Sequence, residues 1–344
     1  MNWLRVRYRR VVVVVVPALL AAVFLALPSA DAARKPPSRS ALEGARIMLV
    51  NDDSVQAAKV NGADGRGLYV LRAALCRAGA DVVVVGPWGQ QSGRSRATAA
   101  SPQVRVAPPL GVPARFAADC SAAPSRGAVL GVCQGADPCG PSSASVTPAD
   151  AVDVALSALL GDRFGWSNGP DLVLSGINSG ANTDLAVNLS GTVGAAVAAV
   201  EHRVPGIAVS AGTRATSIPD DASYEAAADY TTGLVARLLA GTGAERLVRD
   251  SVIVNVNCPD VRAGVTPAPR WTAVGQVALD RLSYAKSAAD IYQMSYGPAS
   301  PAPVPDAGSD TAALLRGELS VGAVSVNRDA SADARWLSAL IGNQ

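Results

Sequence analysis

Two adjacent acidic residues, Asp52 and Asp53, close a short apolar run in Asn51-Asp52-Asp53-Ser54. Neighbouring carboxylates repel, and burying them is costly unless a cation neutralises them. Alone, the tetrapeptide also fits a polar turn held by Asx hydrogen bonds. Two more polar loops follow strand-like runs: Gln91-Ser92-Gly93 comes after Gly86-Pro87-Trp88, and Ser175-Gly176-Ile177-Asn178-Ser179-Gly180-Ala181-Asn182 comes after Asp171 to Leu174. Each reads singly as a turn. Together they offer carboxylate, hydroxyl and amide oxygens without a soft ligand, a set suited to Mg2+, Mn2+ or Ca2+ completed by water and not to Zn2+. Ser190-Gly191-Thr192 opens a run of small residues. Ser190 is a good N-cap, and beside a hard-metal site the N–H groups of a helix start become a phosphate cradle.

The single histidine, His202, ends that run and reads as a residue interacting with the helix dipole. One histidine excludes a His-rich zinc site. With no G-x-S-x-G elbow present, it also gives a serine esterase little support. No P-loop or G-x-G-x-x-G is properly placed, and Gly62-Ala63-Asp64-Gly65-Arg66-Gly67 lacks the required spacing.

These loops can converge only if the elements before them lie side by side. Arg46 to Val50, Asp81 to Val85, Asp171 to Leu174, Ile207 to Ser210 and Val252 to Val256 are short apolar, mostly uninterrupted runs. They alternate with helical patterns over Leu68 to Ala78, Ala149 to Leu160, Gly191 to Glu201 and about Tyr224 to Leu239. That alternation predicts an α/β fold, a Rossmann-like three-layer α/β/α core with a mainly parallel sheet over 45–261. Such sheets bind ligands beyond the carboxyl ends of their strands, where the three polar loops fall. Residues 112–146, rich in Gly, Ala, Pro, Ser and Cys, read as an inserted surface loop. Residues 262–344 read as an extended C-terminal arm with a terminal helix over Ala330 to Ile341 carrying Trp336, Leu337, Leu340 and Ile341. A short apolar helix needs a surface to cover, which points to oligomerisation.

At 344 residues, 49% hydrophobic and 17% charged, the chain can bury a large core and does not read as disordered. Arg5, Arg7, Arg9 and Arg10, the apolar stretch Val11 to Leu27 and Ala30-Asp31-Ala32 form the pattern of a secretory signal peptide over 1–32, cleaved near Ala32 and followed by a linker over 33–44. Cleavage leaves no stable membrane anchor and places the protein outside the cytoplasm, secreted or in the periplasm or cell envelope. It removes four of the 30 basic residues and one of the 28 acidic ones, leaving a net charge near −1. A nucleic-acid polymer therefore has no electrostatic support as a partner. In an exported chain Cys120, Cys133 and Cys139 predict one disulfide with one cysteine left over, the pairing being open. Cys76 and Cys258 read as small buried hydrophobes.

The sequence resembles the SurE survival proteins, a family of metal-dependent nucleotidases. The resemblance rests on Ile47-Met48-Leu49-Val50-Asn51-Asp52-Asp53, Gly86-Pro87 through Gln91-Ser92-Gly93, Thr147-Pro148-Ala149-Asp150 and Ser175-Gly176-Ile177-Asn178. It continues through Ser190-Gly191-Thr192-Val193-Gly194-Ala195-Ala196, Val254-Asn255-Val256-Asn257, Gly308-Ser309-Asp310 and Leu319-Ser320-Val321, in the family's order over about 45–326. It implies that Asp52, Asp53, Ser92 and Asn178 hold one divalent cation per subunit, Mg2+ or Mn2+. It further implies a nucleoside monophosphate substrate and a C-terminal part exchanged between subunits of a homodimer or homotetramer. Ser54, Trp88 and Leu189 depart from the family's usual glycine, aspartate and tyrosine; the loop Val55 to Arg66 is longer, and the cysteine-rich insert is extra.

The expected activity is metal-dependent hydrolysis of nucleoside 5′-monophosphates, extending to 3′-nucleotides. Ser190, Gly191 and Thr192 hold the phosphate and Asn182 contacts its oxygens. Metal-activated water is the attacking group, with a covalent route through Asp52 or Asp53 as second choice. The rival from another class is an exported, non-catalytic protein that captures a phosphorylated ligand.

Overall fold

A computed structural model describes residues 40–57, 65–212 and 219–329. The signal segment over 1–32, most of the linker and the helix expected at Ala330 to Ile341 lie outside the described residues. The strands are β1 (Arg46–Val50), β2 (Asp81–Pro87), β3 (Val104–Ala107), β4 (Val129–Gln134), β5 (Leu172–Ser179), β6 (Gly206–Ala211), β7 (Val252–Cys258), β8 (Pro269–Trp271), β9 (Asp280–Ala288), β10 (Ile291–Pro298) and β11 (Leu319–Ser325). The helices are α1 (Arg66–Arg77), α2 (Pro148–Val154), α3 (Leu160–Phe164), α4 (Gly191–Glu201), α5 (Asp221–Leu239), α6 (Gly243–Arg249) and α7 (Asp310–Leu315). A π-helical turn, Ala155–Leu159, joins α2 to α3.

Nine strands form one sheet in the order β3-β4-β2-β1-β5-β6-β7-β11-β8. From β4 to β7 every pairing is parallel; β3 is antiparallel to β4, and β11 is antiparallel to β7 and parallel to β8. Alternation along the strands divides the core. Ile47, Leu49, Val82 and Val84 face α1 and α5 with Leu68, Tyr69 and Tyr224. Met48, Val50, Val83 and Val85 face α2 and α4 with Ala149, Ala195 and Ala198. A strand buried on both faces must be apolar throughout, which is why these runs lack the polar alternation of an exposed sheet. The expected three-layer α/β/α core is present, and α2 opens on a capping box in which Thr147 and Asp150 satisfy each other's backbone N–H.

The segment 112–146, expected as a surface insert, contributes β4 to the interior of the sheet beside β2. Its composition concealed a six-residue strand between disulfide-bonded loops. The disulfide expectation also needs correction. Two bonds form, Cys76–Cys120 and Cys133–Cys139, and Cys76 is a disulfide partner, not an isolated buried hydrophobe. Helical spacing showed Cys76 in α1 but not the loop lying against that turn. The same loop accepts hydrogen bonds from the buried Arg72 guanidinium at the Phe116 and Asp119 carbonyls, both at 2.9 Å, and at the Gly127 carbonyl. Cys258 is free and buried, as expected, and burial, with the Asp260 charge, pushes its thiol up to about 12.

Thiol titration of denatured, unreduced protein folded under oxidising conditions should find one thiol, rising to five after reduction. Replacing Cys76 and Cys120 together by alanine, which opens a 44-residue separation, should lower unfolding free energy in urea by about 2–4 kcal/mol.

Candidate active site

The strand order places β2, β1 and β5 next to one another, and the chain turns from one side of β1 to the other there. A ligand crevice opens beyond the carboxyl ends at such a switch point. All three polar loops meet at this place.

Asp52 and Asp53 follow β1 and are 3% and 1% exposed. The Thr192 hydroxyl donates to Asp52 Oδ1 at 2.8 Å, and the Ser179 N–H donates to Asp53 Oδ2 at 2.7 Å. Asn51 spans the gap to β5: its Nδ2 donates to the Ile177 carbonyl at 3.2 Å and lies 3.4 Å from Asp53 Oδ2. Burial pushes the Asp52 carboxyl above its ordinary range, and the Thr192 hydrogen bond opposes that shift. Asn178 is the penultimate residue of β5 and follows a register slip that begins at Ser175. Gly176 within the slip has φ +138°, and a Cβ there would lie 2.2 Å from the Val209 carbonyl oxygen, so only glycine fits. Asn178 Nδ2 donates to the Gly180 carbonyl at 2.8 Å, while its Oδ1 is buried without a hydrogen-bond partner. A buried acceptor left over beside two carboxylates is what an oxygen-seeking cation requires. Among the described residues no cluster of three or more His, Cys, Asp and Glu side chains could hold a metal, so a cation here rests on two carboxylates and neutral oxygens.

Ser92 is less tightly placed. It is exposed, its hydroxyl accepts from Gln90 Nε2, and its loop is anchored to the site by Gln91 N–H donating to the Asp52 carbonyl at 2.7 Å. Ser190 is the N-cap of α4 and accepts from the Val193 N–H at 3.1 Å. Gly191 brings the helix start against Asp52; a Cβ there would lie 2.9 Å from Asp52 Oδ2. The cradle expected at Ser190, Gly191 and Thr192 therefore shares its helix start with a carboxylate, and the Thr192 hydroxyl is given to Asp52.

Asn182 is drawn into the sheet floor. Its Nδ2 donates to Ser210 Oγ at 2.8 Å, its N–H to Asn257 Oδ1 at 2.8 Å, and its carbonyl accepts from Asn255 and Asn257 at 2.9 and 3.2 Å. One amide proton of Asn182 remains for a ligand. His202 is not part of the site. It sits at the far end of the 11-residue α4, roughly 18 Å along the axis from Ser190, and pairs with Asp153 at 3.0 Å.

A second acidic pair supports the loop from below. Asp310, at the start of α7, accepts from the N–H groups of Asp184, Gly275 and Thr311 at about 3 Å. Asp184 lies two residues beyond Asn182, its Oδ2 accepts from the Thr311 hydroxyl, and its buried Oδ1 has no hydrogen-bond partner. Burial raises both carboxyls. Three N–H donors offset this at Asp310, whereas at Asp184 the charges of Asp310 and Asp306 add to it. Nothing in the sequence around Asp184 marks it; Asn255, Asn257 and Asp310 stood only within stretches of family resemblance.

A model of the family described as Survival protein SurE matches residues 47–281. A 5′-nucleotidase SurE of Desulfovibrio desulfuricans is 31% identical over 214 residues, 62% of this chain and 66% of its own. That of Solidesulfovibrio magneticus is 36% identical over 214 residues, 62% of this chain and 65% of its own. The match therefore spans just under two thirds of these two relatives. A 5′-nucleotidase SurE of Xanthomonas campestris pv. campestris is 30% identical over 291 residues, 82% of this chain and 90% of its own. The crystal structure of SurE protein from Aquifex aeolicus shares the fold at 22% identity, with TM-score 0.57, over 86% of this chain and 99% of that one.

The acidic pair has a pH signature. Below the ordinary carboxyl value of 3.8 Asp184 is protonated in folded and unfolded chains alike, at no cost. As pH rises, the unfolded chain ionises first, so stability is lost as pH passes through the raised folded value. Asp184→Asn removes this cost. Urea unfolding should find the variant more stable than wild type at pH 7, with the difference vanishing toward pH 3.5.

Proposed function

The chain belongs to the SurE family, and from that premise we propose that it is a divalent-metal-dependent phosphomonoesterase acting on nucleoside 5′-monophosphates, with 3′-nucleotides as further substrates. The observation that carries the reading is the buried, unpartnered Asn178 Oδ1 beside two buried carboxylates at the mouth of α4. Asp52, Asp53, Asn178 and Ser92 would hold one Mg2+ or Mn2+ per subunit. Such an ion supplies positive charge for a phosphoryl oxygen and acidifies a neighbouring water.

The chain's own residues do the rest. The amino end of α4, with the Gly191 N–H and the helix dipole, attracts the phosphate. The remaining amide proton of Asn182 lies on the same loop and can donate to a phosphate oxygen, and the Asn255–Asn257 clamp fixes that loop in advance. Thr192 holds the Asp52 carboxylate in place and the Ser179 N–H holds that of Asp53. Hydrolysis consumes one water, forms one P–O bond and breaks the ester P–O bond, and the leaving oxygen ends as the nucleoside hydroxyl. With His202 distant, no imidazole takes part.

The 5′-nucleotidase names of the relatives support the substrate class. Two disulfides support folding in an oxidising compartment, as the signal pattern of residues 1–32 implies. Assembly has support in the β9–β10 hairpin. Leu282, Tyr284, Met294 and Tyr296 share one face through the pairs Leu282–Tyr296 and Tyr284–Met294, each more than half exposed. An isolated two-stranded hairpin is marginal in water. An apolar face of this kind suits the same face of a second copy, in a homodimer or a tetramer built from dimers.

Phosphate release from a panel of nucleoside monophosphates, with Mn2+ or Mg2+ and with EDTA, tests the reading. Asp52→Asn and Asn178→Ala should each lower turnover on the order of a hundredfold at limiting metal. Wild-type turnover in EDTA-stripped protein rejects the metal; Mn2+-dependent binding of a nucleotide with no turnover supports the binding-protein alternative. Tyr284→Lys combined with Met294→Glu should convert the oligomer to monomer in light scattering.

A further inference from the structure

We infer that Trp88 and the disulfide-closed loop Cys133–Cys139 are positioning elements for the Ser92 loop, an inference that rests on the cation reading above. Among the four proposed ligands Ser92 stands apart. Asp52, Asp53 and Asn178 are buried at strand ends, whereas Ser92 is exposed on a loop. An exposed loop residue contributes fully to binding only if its order is already set, because ordering otherwise subtracts from affinity.

That order is supplied from two fixed points. One is the Asp52 carbonyl, which accepts from the Gln91 N–H at 2.7 Å. The other is Trp88, 3% exposed. Its indole Nε1 donates to the Gly140 carbonyl at 2.7 Å, its own N–H donates to the Val132 carbonyl at 3.0 Å, and its carbonyl accepts from Gln56 Nε2 at 3.0 Å. Gly89 continues the attachment, its N–H donating to Ser145 Oγ at 3.1 Å. Gly140 follows Cys139 directly, and Cys139 is bonded to Cys133 in β4, a strand held in the sheet by β2. Residues 89–92 thus hang between the backbone of a metal-site carboxylate and a loop cross-linked to the sheet. A side chain buried as fully as Trp88 cannot stack on a ligand base; its polar atom is spent on this link.

The test is Mn2+ affinity by calorimetry on the full chain with its disulfides formed, alongside the thermal unfolding midpoint in EDTA. Trp88→Phe keeps an aromatic ring and removes the N–H, and should weaken Mn2+ binding roughly five- to tenfold. Cys133→Ala with Cys139→Ala leaves the indole in place, loosens the other end of the bridge and should give a loss of similar size. Because both act through Ser92, neither should weaken binding further in a Ser92→Ala background. An equal loss in that background, or wild-type affinity in both folded variants, overturns the inference. Asp52→Asn separates the two levels. If that variant binds Mn2+ as tightly as wild type, the cation reading falls and the positioning role with it. If it loses Mn2+ while the Trp88 and cysteine variants keep wild-type affinity, the positioning role alone falls.

Discussion

Burial of two consecutive carboxylates at the carboxyl end of β1 is the constraint around which the molecule is arranged. Carboxylates removed from water must be met by hydrogen-bond donors or positive charge. Among the described residues Asp52 has no ion-pair partner, and its donors are neutral: the Thr192 hydroxyl and nearby backbone N–H groups. Asp53 is met by a backbone N–H and lies near the Asn51 amide. Neutral donors stabilise a carboxylate without cancelling its charge, so the centre retains negative potential in an oxygen-rich crevice. The start of α4, packed against Asp52 through Gly191, sets positive helix dipole beside that charge.

The sheet makes this possible cheaply. A parallel sheet sends its carboxyl ends to one edge, so adjacent strands need no special loop design to bring β1, β2 and β5 termini together. What needs design is the rigidity of the loops, and remote parts of the chain supply it. β7 clamps Asn182 through Asn255 and Asn257, α7 clamps the following turn through Asp310, and the cysteine-rich segment holds Trp88. The parts that look peripheral in sequence are supports of the centre.

Much of this is legible in the sequence. The β-branched runs between helical patterns identified the parallel sheet because burial on both faces leaves a strand no polar positions. That Asp52, Asp53 and Asn178 lie at one end of the sheet is legible because each stands a few residues beyond the start of such a run's exit loop. The β4 strand was not, since Gly131 and Cys133 gave its six residues no distinctive pattern among loop-forming neighbours. Nor was Cys76–Cys120, because helical spacing tells which face of α1 a residue occupies and nothing about the partner. The division of labour at α4 was also hidden. Ser190-Gly191-Thr192 reads as three equivalent cradle residues, yet three-dimensional packing gives one hydroxyl to the helix cap and another to Asp52.

The bond from the Asp184 N–H to Asp310 joins residues 126 positions apart, and it bears on the order of synthesis. The loop that carries Asn182 is complete only when a segment close to the end of the chain has been made and docked. A nascent chain long enough to have formed β1, β2 and β5 would own every proposed ligand and still lack the fastening beneath them. Contacts of such long sequence separation close late in folding. The fastening of the proposed centre therefore waits until the chain has been made through α7.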